Sequence, residues 1–241
     1  MTETLVRLLF SLTADQVLVG LAMMAAAVAV AVDWRVVLLA LAVQYGLVSV
    51  LLGDHVLPQV ALIKSLVGGF CLLVLYRTGL YVQKAVDSHS FPGAWVDQQH
   101  ESLPFSTSFR VLALAMWTLG IVALSNRLRF DFMAPQLLFP ASWLGGMGLL
   151  AIMLTRDPLK TTAALLTFEN GFEVLFTPLE PGLLIMAFLG TANIMTALVG
   201  AYLTIVANLR YLEPLPELGD WESTTLALMG PEPNREGEAS A

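Results

Sequence analysis

Charged residues are scarce in this sequence: Asp, Glu, Lys and Arg make up only 13% of its 241 residues, whereas 57% are hydrophobic. A soluble domain of this length needs far more charge to cover its surface, so the composition excludes an ordinary soluble enzyme. No basic stretch interleaved with aromatic residues indicates nucleic-acid binding. The single cysteine, Cys71, excludes an intrachain disulfide and a cysteine metal cluster.

Motifs for catalysis are missing as well. The sequence contains no nucleophile triad, no array of metal ligands, no glycine-rich phosphate loop and no pair of histidines placed to ligate haem. We therefore expect no catalytic residue, no cofactor and no metal site in this chain.

What the sequence does contain is a series of apolar segments of about 20 residues, the length at which an α-helix crosses the hydrocarbon core of a bilayer. The pattern predicts an all-α, polytopic membrane helix bundle of about seven transmembrane helices within residues 15–210. The predicted spans are 16–32, 36–52, 57–76, 111–124, 137–155, 161–177 and 182–208. Residues 1–14 are predicted to form an interfacial segment, and residues 77–108 the longest loop.

The charges at the ends of these spans predict an orientation. Residues 211–241 form an acidic tail, whose seven acids and one arginine carry six of the seven net negative charges. Most basic residues fall on the same side as this tail, which the positive-inside rule makes cytoplasmic. That side has Arg35, Arg77, Lys84, Arg110, Arg156, Lys160 and Arg210, and the other has Arg7, Arg127 and Arg129. The N-terminus is therefore predicted to lie outside.

A weak internal repeat relates the two halves of the chain. The spacing of Arg35, Gln44 and Gly46 is the same as that of Lys160, Glu169 and Gly171. One interpretation is a parallel duplication of a three-helix unit, helices 1–3 and 5–7, with the fourth helix as the extra crossing. The alternative is a chance match of three residues.

Three ionisable residues, Lys64, Glu169 and Glu173, fall in the middle of predicted spans. A charge at that depth costs several kcal/mol on insertion, so it usually faces the protein interior and marks a pathway. The two glutamates are four residues apart, on one helix face, and two close carboxylates in a low dielectric cannot easily both ionise. We therefore expect one of them to hold a proton, as in a proton relay. The alternative is a pair of neutral, hydrogen-bonded carboxyl groups.

Lys64 needs a counter-ion at this depth, and it shares its helix face with the small residues Gly68 and Cys71, which predicts close packing against another helix. Gln44 and Asn193 are weaker candidates for the proton path, because amide side chains commonly join helices by hydrogen bonds. Asn193 also lies on a face of small residues, including Gly190 and Gly200.

Two local motifs carry a family resemblance. Arg156-Asp157 ends one predicted helix, and Glu169-Asn170-Gly171 lies in the next, before a short turn and a helix rich in small residues. Residues 143–205 in this way resemble the membrane subunit called hydrogenase-4 component E. Residues 157–210 look like the small K subunit (the 4L-like chain) of NADH dehydrogenase complex I. Gln44 and Lys64 match component E in the first half.

The resemblance implies that Glu169 is the mid-membrane glutamate in a chain of buried charges that connects electron transfer to proton movement. The sequence departs from the family at two positions. Asn193 stands where the K-subunit pattern and component E have an acid, so that proton step is missing or moved. Glu173 stands where component E has a histidine, and we expect Glu173 to carry the displaced function.

The resemblance thus predicts a non-catalytic, accessory membrane-arm subunit of a complex I-like or membrane-bound hydrogenase-like respiratory complex, in the prokaryotic cytoplasmic membrane. Its partners would be antiporter-like and other membrane subunits. Glu169, Glu173 and Lys64, with Gln44 and Asn193, would contribute to proton translocation. A structural adaptor that does not pump and a small stand-alone transporter are the alternatives.

Overall fold

A computed structural model of the chain describes residues 14–55, 58–89, 107–127, 135–180 and 182–209. These residues form seven α-helices. The helices are α1 (Ala14–Val30), α2 (Trp34–His55), α3 (Pro58–His89), α4 (Thr107–Arg127), α5 (Pro135–Leu154), α6 (Pro158–Phe176) and α7 (Leu183–Leu209). The predicted all-α class is therefore confirmed. The predicted interfacial segment and acidic tail lie almost entirely outside the described residues.

Helix starts follow from local chemistry. Proline is the first residue of α3, α5 and α6, where its missing N–H costs no helical hydrogen bond. At α6, the residue before this proline is Asp157, whose carboxylate accepts a hydrogen bond from the backbone N–H of Leu159 at 2.9 Å. This N-cap fixes where α6 begins.

The predicted boundaries are close to the observed ones, with one large exception. Helix α3 continues to His89, thirteen residues beyond its predicted end at Tyr76, so the prediction of a loop starting at residue 77 is wrong. The predicted span ended where charged residues begin, at Arg77 and Lys84. A charged side chain does not end a helix, however, and the first proline after this span is Pro92. Gly53, Asp54 and His55, which the sequence places between the predicted spans 36–52 and 57–76, belong to α2.

The helices form two rows of three. Within each row, α1 packs on α2 and α2 on α3, while α5 packs on α6 and α6 on α7. Across the rows α1 meets α5, α2 meets α6 and α3 meets α7, and α4 lies against α5 and α1. This order places corresponding helices of the predicted repeat side by side, and the duplication itself stays a prediction.

Small residues bring α5 and α6 into backbone contact. A Cβ atom added at Gly171 would lie against the backbone of Gly145 and 2.8 Å from the carbonyl oxygen of Ala141. The faces predicted to pack closely do so too: Gly68 lies against the ring of Tyr45, and Gly200 against the side chain of Thr162. The small residues thus set how close the helices that carry the polar side chains come to one another.

Four helices in the described part of the chain are long and apolar enough to cross a membrane by length and composition: α2, α3, α5 and α7. The apolar parts of α1 and α4 are shorter. Large apolar side chains cover the outside of the bundle, with Leu184 83% and Phe188 74% exposed. Such a surface fits a multi-pass membrane protein.

Candidate functional site

A buried ion pair joins helices α3 and α6. The Nζ atom of Lys64 on α3 pairs with Oε2 of Glu173 on α6, and the two side chains are 4% and 3% exposed. The ammonium group also lies 4.6 Å from the centroid of the Tyr45 ring on α2, within range of a cation–π interaction. Glu173 is thus the counter-ion that Lys64 was expected to need.

Asn193 completes the coordination of Glu173 from α7. Its Nδ2 donates a hydrogen bond of 2.7 Å to Oε1 of Glu173, and the asparagine is 1% exposed. Both carboxylate oxygens of Glu173 therefore have a cationic or N–H partner, the pattern that suits an ionised carboxylate. Asn193 lies on a face of small residues, as predicted, and it also contacts the ionisable site.

Glu169 lies one helical turn before Glu173, on the same side of α6. Its Oε1 accepts a hydrogen bond of 2.7 Å from the hydroxyl of Thr196 on α7. Its other oxygen, Oε2, is buried and has no hydrogen-bond partner among the described residues. Lys64 and Glu173 are close enough to act on it electrostatically. The two carboxyl groups therefore differ: Glu173 has partners at both oxygens and Glu169 at one.

Gln44 belongs to a second polar layer, between α2 and α6. Its Oε1 accepts from the hydroxyl of Thr167 at 3.3 Å, and that hydroxyl also approaches the carbonyl oxygen of Ala163 at 2.9 Å. Asn170, three residues from both Thr167 and Glu173, is fully buried, and neither its amide nitrogen nor its oxygen has a partner among the described residues. Polar atoms buried in this way are commonly satisfied by ordered water.

A further charged cluster lies at the end of the bundle where α6 begins. Arg110, 2% exposed, donates to the carbonyl oxygen of Leu154 at 2.6 Å and approaches that of Val30 at 3.5 Å. It thus caps the last turns of α5 and α1 with a positive charge. Lys160, 4% exposed, lies 3.9 Å from Asp157. Burial raises the pKa of Asp157, and Lys160 offsets part of that rise.

Sequence reasoning selected the ionisable members of the site and missed several neutral ones. Thr167 and Thr196 were not singled out, and Asn170 was named only as part of the Glu169-Asn170-Gly171 motif, although the spacing 167, 170, 173 could have revealed a polar stripe on α6. Arg110 was considered only as a charge at the end of a span, and Lys160 as such a charge and as part of the repeat, whereas the structure buries both side chains. In the described part of the chain, no three His, Cys, Asp or Glu side chains are grouped to hold a metal ion.

No protein-family model, curated protein or solved structure matches the chain. The family resemblance therefore stays a prediction from sequence motifs, and the function is argued from the geometry of the site.

Proposed function

We propose that the chain is an accessory membrane-arm subunit of a complex I-like or membrane-bound hydrogenase-like respiratory complex, in which its buried charges contribute to proton translocation coupled to electron transfer. The observation that carries the proposal is the buried Lys64–Glu173 ion pair with a second carboxyl group, Glu169, one turn away. Three ionisable groups inside an apolar bundle are costly, and membrane proteins keep such groups where charge has to move.

The hydrogen bonds favour different protonation states for the two carboxyl groups. Glu173 has a donor or a cation at each oxygen and suits the ionised form. Glu169 has a buried oxygen without a partner among the described residues, and it suits the neutral form that holds a proton, because a neutral carboxyl group costs less to bury unpaired than a carboxylate does. When Glu169 releases that proton, its new negative charge competes with Glu173 for Lys64. The ion pair thereby becomes sensitive to the proton occupancy of Glu169, which is the property a coupling element needs.

The contact between Asn193 and Glu173 supports the expected exchange of roles. The family resemblance implies an acid at position 193, and here an amide at that position donates directly to a carboxylate on the neighbouring helix. The carboxyl group that the resemblance implies on α7 would thus lie on α6 instead, at a residue that is hydrogen-bonded to position 193. Glu173 would take the proton-carrying role, and Asn193 would position it.

Partners and orientation complete the proposal. The chain would lie beside antiporter-like and other membrane subunits in the prokaryotic cytoplasmic membrane, with all seven helices spanning, the N-terminus outside and the acidic tail in the cytoplasm. The basic residues Arg35 and Lys160 lie at the end of the bundle where α2 and α6 begin, which supports this orientation.

Proton translocation in membrane vesicles that contain the intact complex tests the proposal. Glu169→Gln keeps the size and hydrogen-bonding capacity of the side chain and removes its titratable proton, so pumping should fall while the complex still assembles. Lys64→Met should give a similar defect. The matched control is Glu180→Gln, the same change at an exposed glutamate in the turn after α6.

Normal pumping in Glu169→Gln would favour the second candidate, a structural adaptor that does not pump. In an adaptor, the ion pair would only hold α3 and α6 together, so its loss should affect assembly of the complex and not pumping. A stand-alone transporter would instead be active in the absence of other subunits, which reconstitution of the purified chain can measure.

A further inference from the structure

A groove with a volume of about 700 Å³ lies between α6 and α7. The two helices are antiparallel neighbours, so Arg156, just before α6, lies at the same end of the groove as Ala207 near the end of α7. The deep end is at Thr196, whose hydroxyl donates to Glu169. From residue 195 to residue 207 a helix rises about 18 Å, close to the roughly 15 Å depth of one leaflet.

The chemistry of the lining selects an amphiphilic occupant. The hydroxyl groups of its three threonines already donate elsewhere: Thr161 and Thr162 to backbone carbonyls at 2.9 and 2.7 Å, and Thr196 to Glu169 at 2.7 Å. They therefore offer no free donor proton along the groove, and most of the remaining lining is apolar. The charged group among the lining residues is the exposed guanidinium of Arg156 at the mouth.

We propose that this groove binds one acyl chain of an anionic phospholipid from the leaflet on the Arg156 side, with the headgroup phosphate at Arg156 and the end of the chain against Thr196. The charge of Arg156 complements a phosphate, and the length of the groove matches one leaflet. The bound chain would cover the partly exposed Glu169 from the membrane.

The proposal rests on the membrane location of the chain and does not require proton transfer. Its readout is lipid retention by the full-length chain released from detergent in native mass spectrometry, with phosphatidylglycerol and phosphatidylcholine of the same acyl chains as probes. Arg156→Gln should weaken phosphatidylglycerol binding by about fivefold, the factor one basic residue contributes at an anionic headgroup. Arg77→Gln, at an exposed arginine of α3 that does not line the groove, should leave it unchanged.

A second variant tests the acyl-chain site independently of charge. Val199 lines the groove and is 56% exposed, so Val199→Trp fills the groove without entering the core and should reduce retention of both lipids. Unchanged lipid retention in Val199→Trp would overturn the proposal, and so would equal losses of phosphatidylglycerol binding in Arg156→Gln and Arg77→Gln. So would release of phosphatidylglycerol by an equal concentration of inorganic phosphate, or capture of a protein instead of a lipid by a photo-crosslinking residue at Leu203. Loss of lipid binding with normal pumping, or the reverse, separates this inference from the proposed function.

Discussion

Removing one member of the Lys64–Glu173 pair should destabilise the fold far more than removing both. In Lys64→Met, Glu173 stays buried with the Asn193 amide as its side-chain partner, and breaking a buried pair in this way costs about 3–5 kcal/mol. The carboxylate can instead bind a proton. For a glutamate in a short peptide this costs about 3.7 kcal/mol at pH 7, and about 1.4 kcal/mol less for each pH unit below that.

The stability loss of Lys64→Met should therefore shrink from about 4 kcal/mol at pH 7 to about 1 kcal/mol at pH 5. Glu173→Gln leaves the ammonium group unpaired and should show the opposite trend, because deprotonating a lysine becomes easier as the pH rises. The double variant keeps neither charge, and we expect it to lose less than about 1.5 kcal/mol at every pH.

Equilibrium unfolding of the full-length chain in detergent micelles, followed by tryptophan fluorescence between pH 5 and pH 8, measures all three variants. Lys84→Met is the matched control, because Lys84 is an exposed lysine on the same helix. Losses that simply add in the double variant, with no dependence on pH, would show that Lys64 and Glu173 do not stabilise each other as a charged pair.

Three further predictions concern the framework around the site, each checked by the same unfolding measurement. Gly171→Ala should cost about 1–3 kcal/mol or more, since its Cβ meets the backbone of Gly145, whereas Gly46→Ala, where a Cβ meets nothing within 4 Å, should cost nothing. Burial raises the pKa of Asp157 above its ordinary 3.8, so the folded state keeps the carboxyl proton to a higher pH than the unfolded state does. The folded state therefore loses stability as the pH rises from 3.8 through the raised pKa. Asp157→Asn keeps the capping oxygen and should match wild type near pH 4 and exceed it at pH 7. Arg110→Met removes a charged hydrogen bond to a helix end and should cost about 2–3 kcal/mol.

Hydrophobic patterning predicted the helices well, because about 20 apolar residues in a row have few alternatives to a helix. It failed at the end of α3, where residues 77–89 are helical although they are no longer uniformly apolar. The length of an apolar run indicates how many residues are buried in the bilayer or the core. The helix itself can continue beyond that run until a proline or another helix-ending residue occurs. The number of spans depends on the bilayer and stays a prediction.

Within the site, burial of Lys64 and Glu173 could be predicted from one sequence, but their pairing could not. A cost of several kcal/mol per charge marks an unusual residue wherever it occurs. Which partner it meets depends on the rotation of three helices about their axes, and Glu169 and Glu173 were equally available from sequence spacing. The packing of Gly68 against Tyr45 is one of the contacts that fix this rotation.

The guanidinium of Arg110 also has a consequence for the order of synthesis. Its shorter hydrogen bond goes to Leu154, a residue made 44 positions later in the chain. When α4 has just been made, the end of α5 does not yet exist, and the described helices on which α4 mainly packs are α5 and α1. The contacts of α4 with α5 can therefore form only after α5 has been made, whereas its contacts with α1, including the approach of Arg110 to Val30, can form earlier.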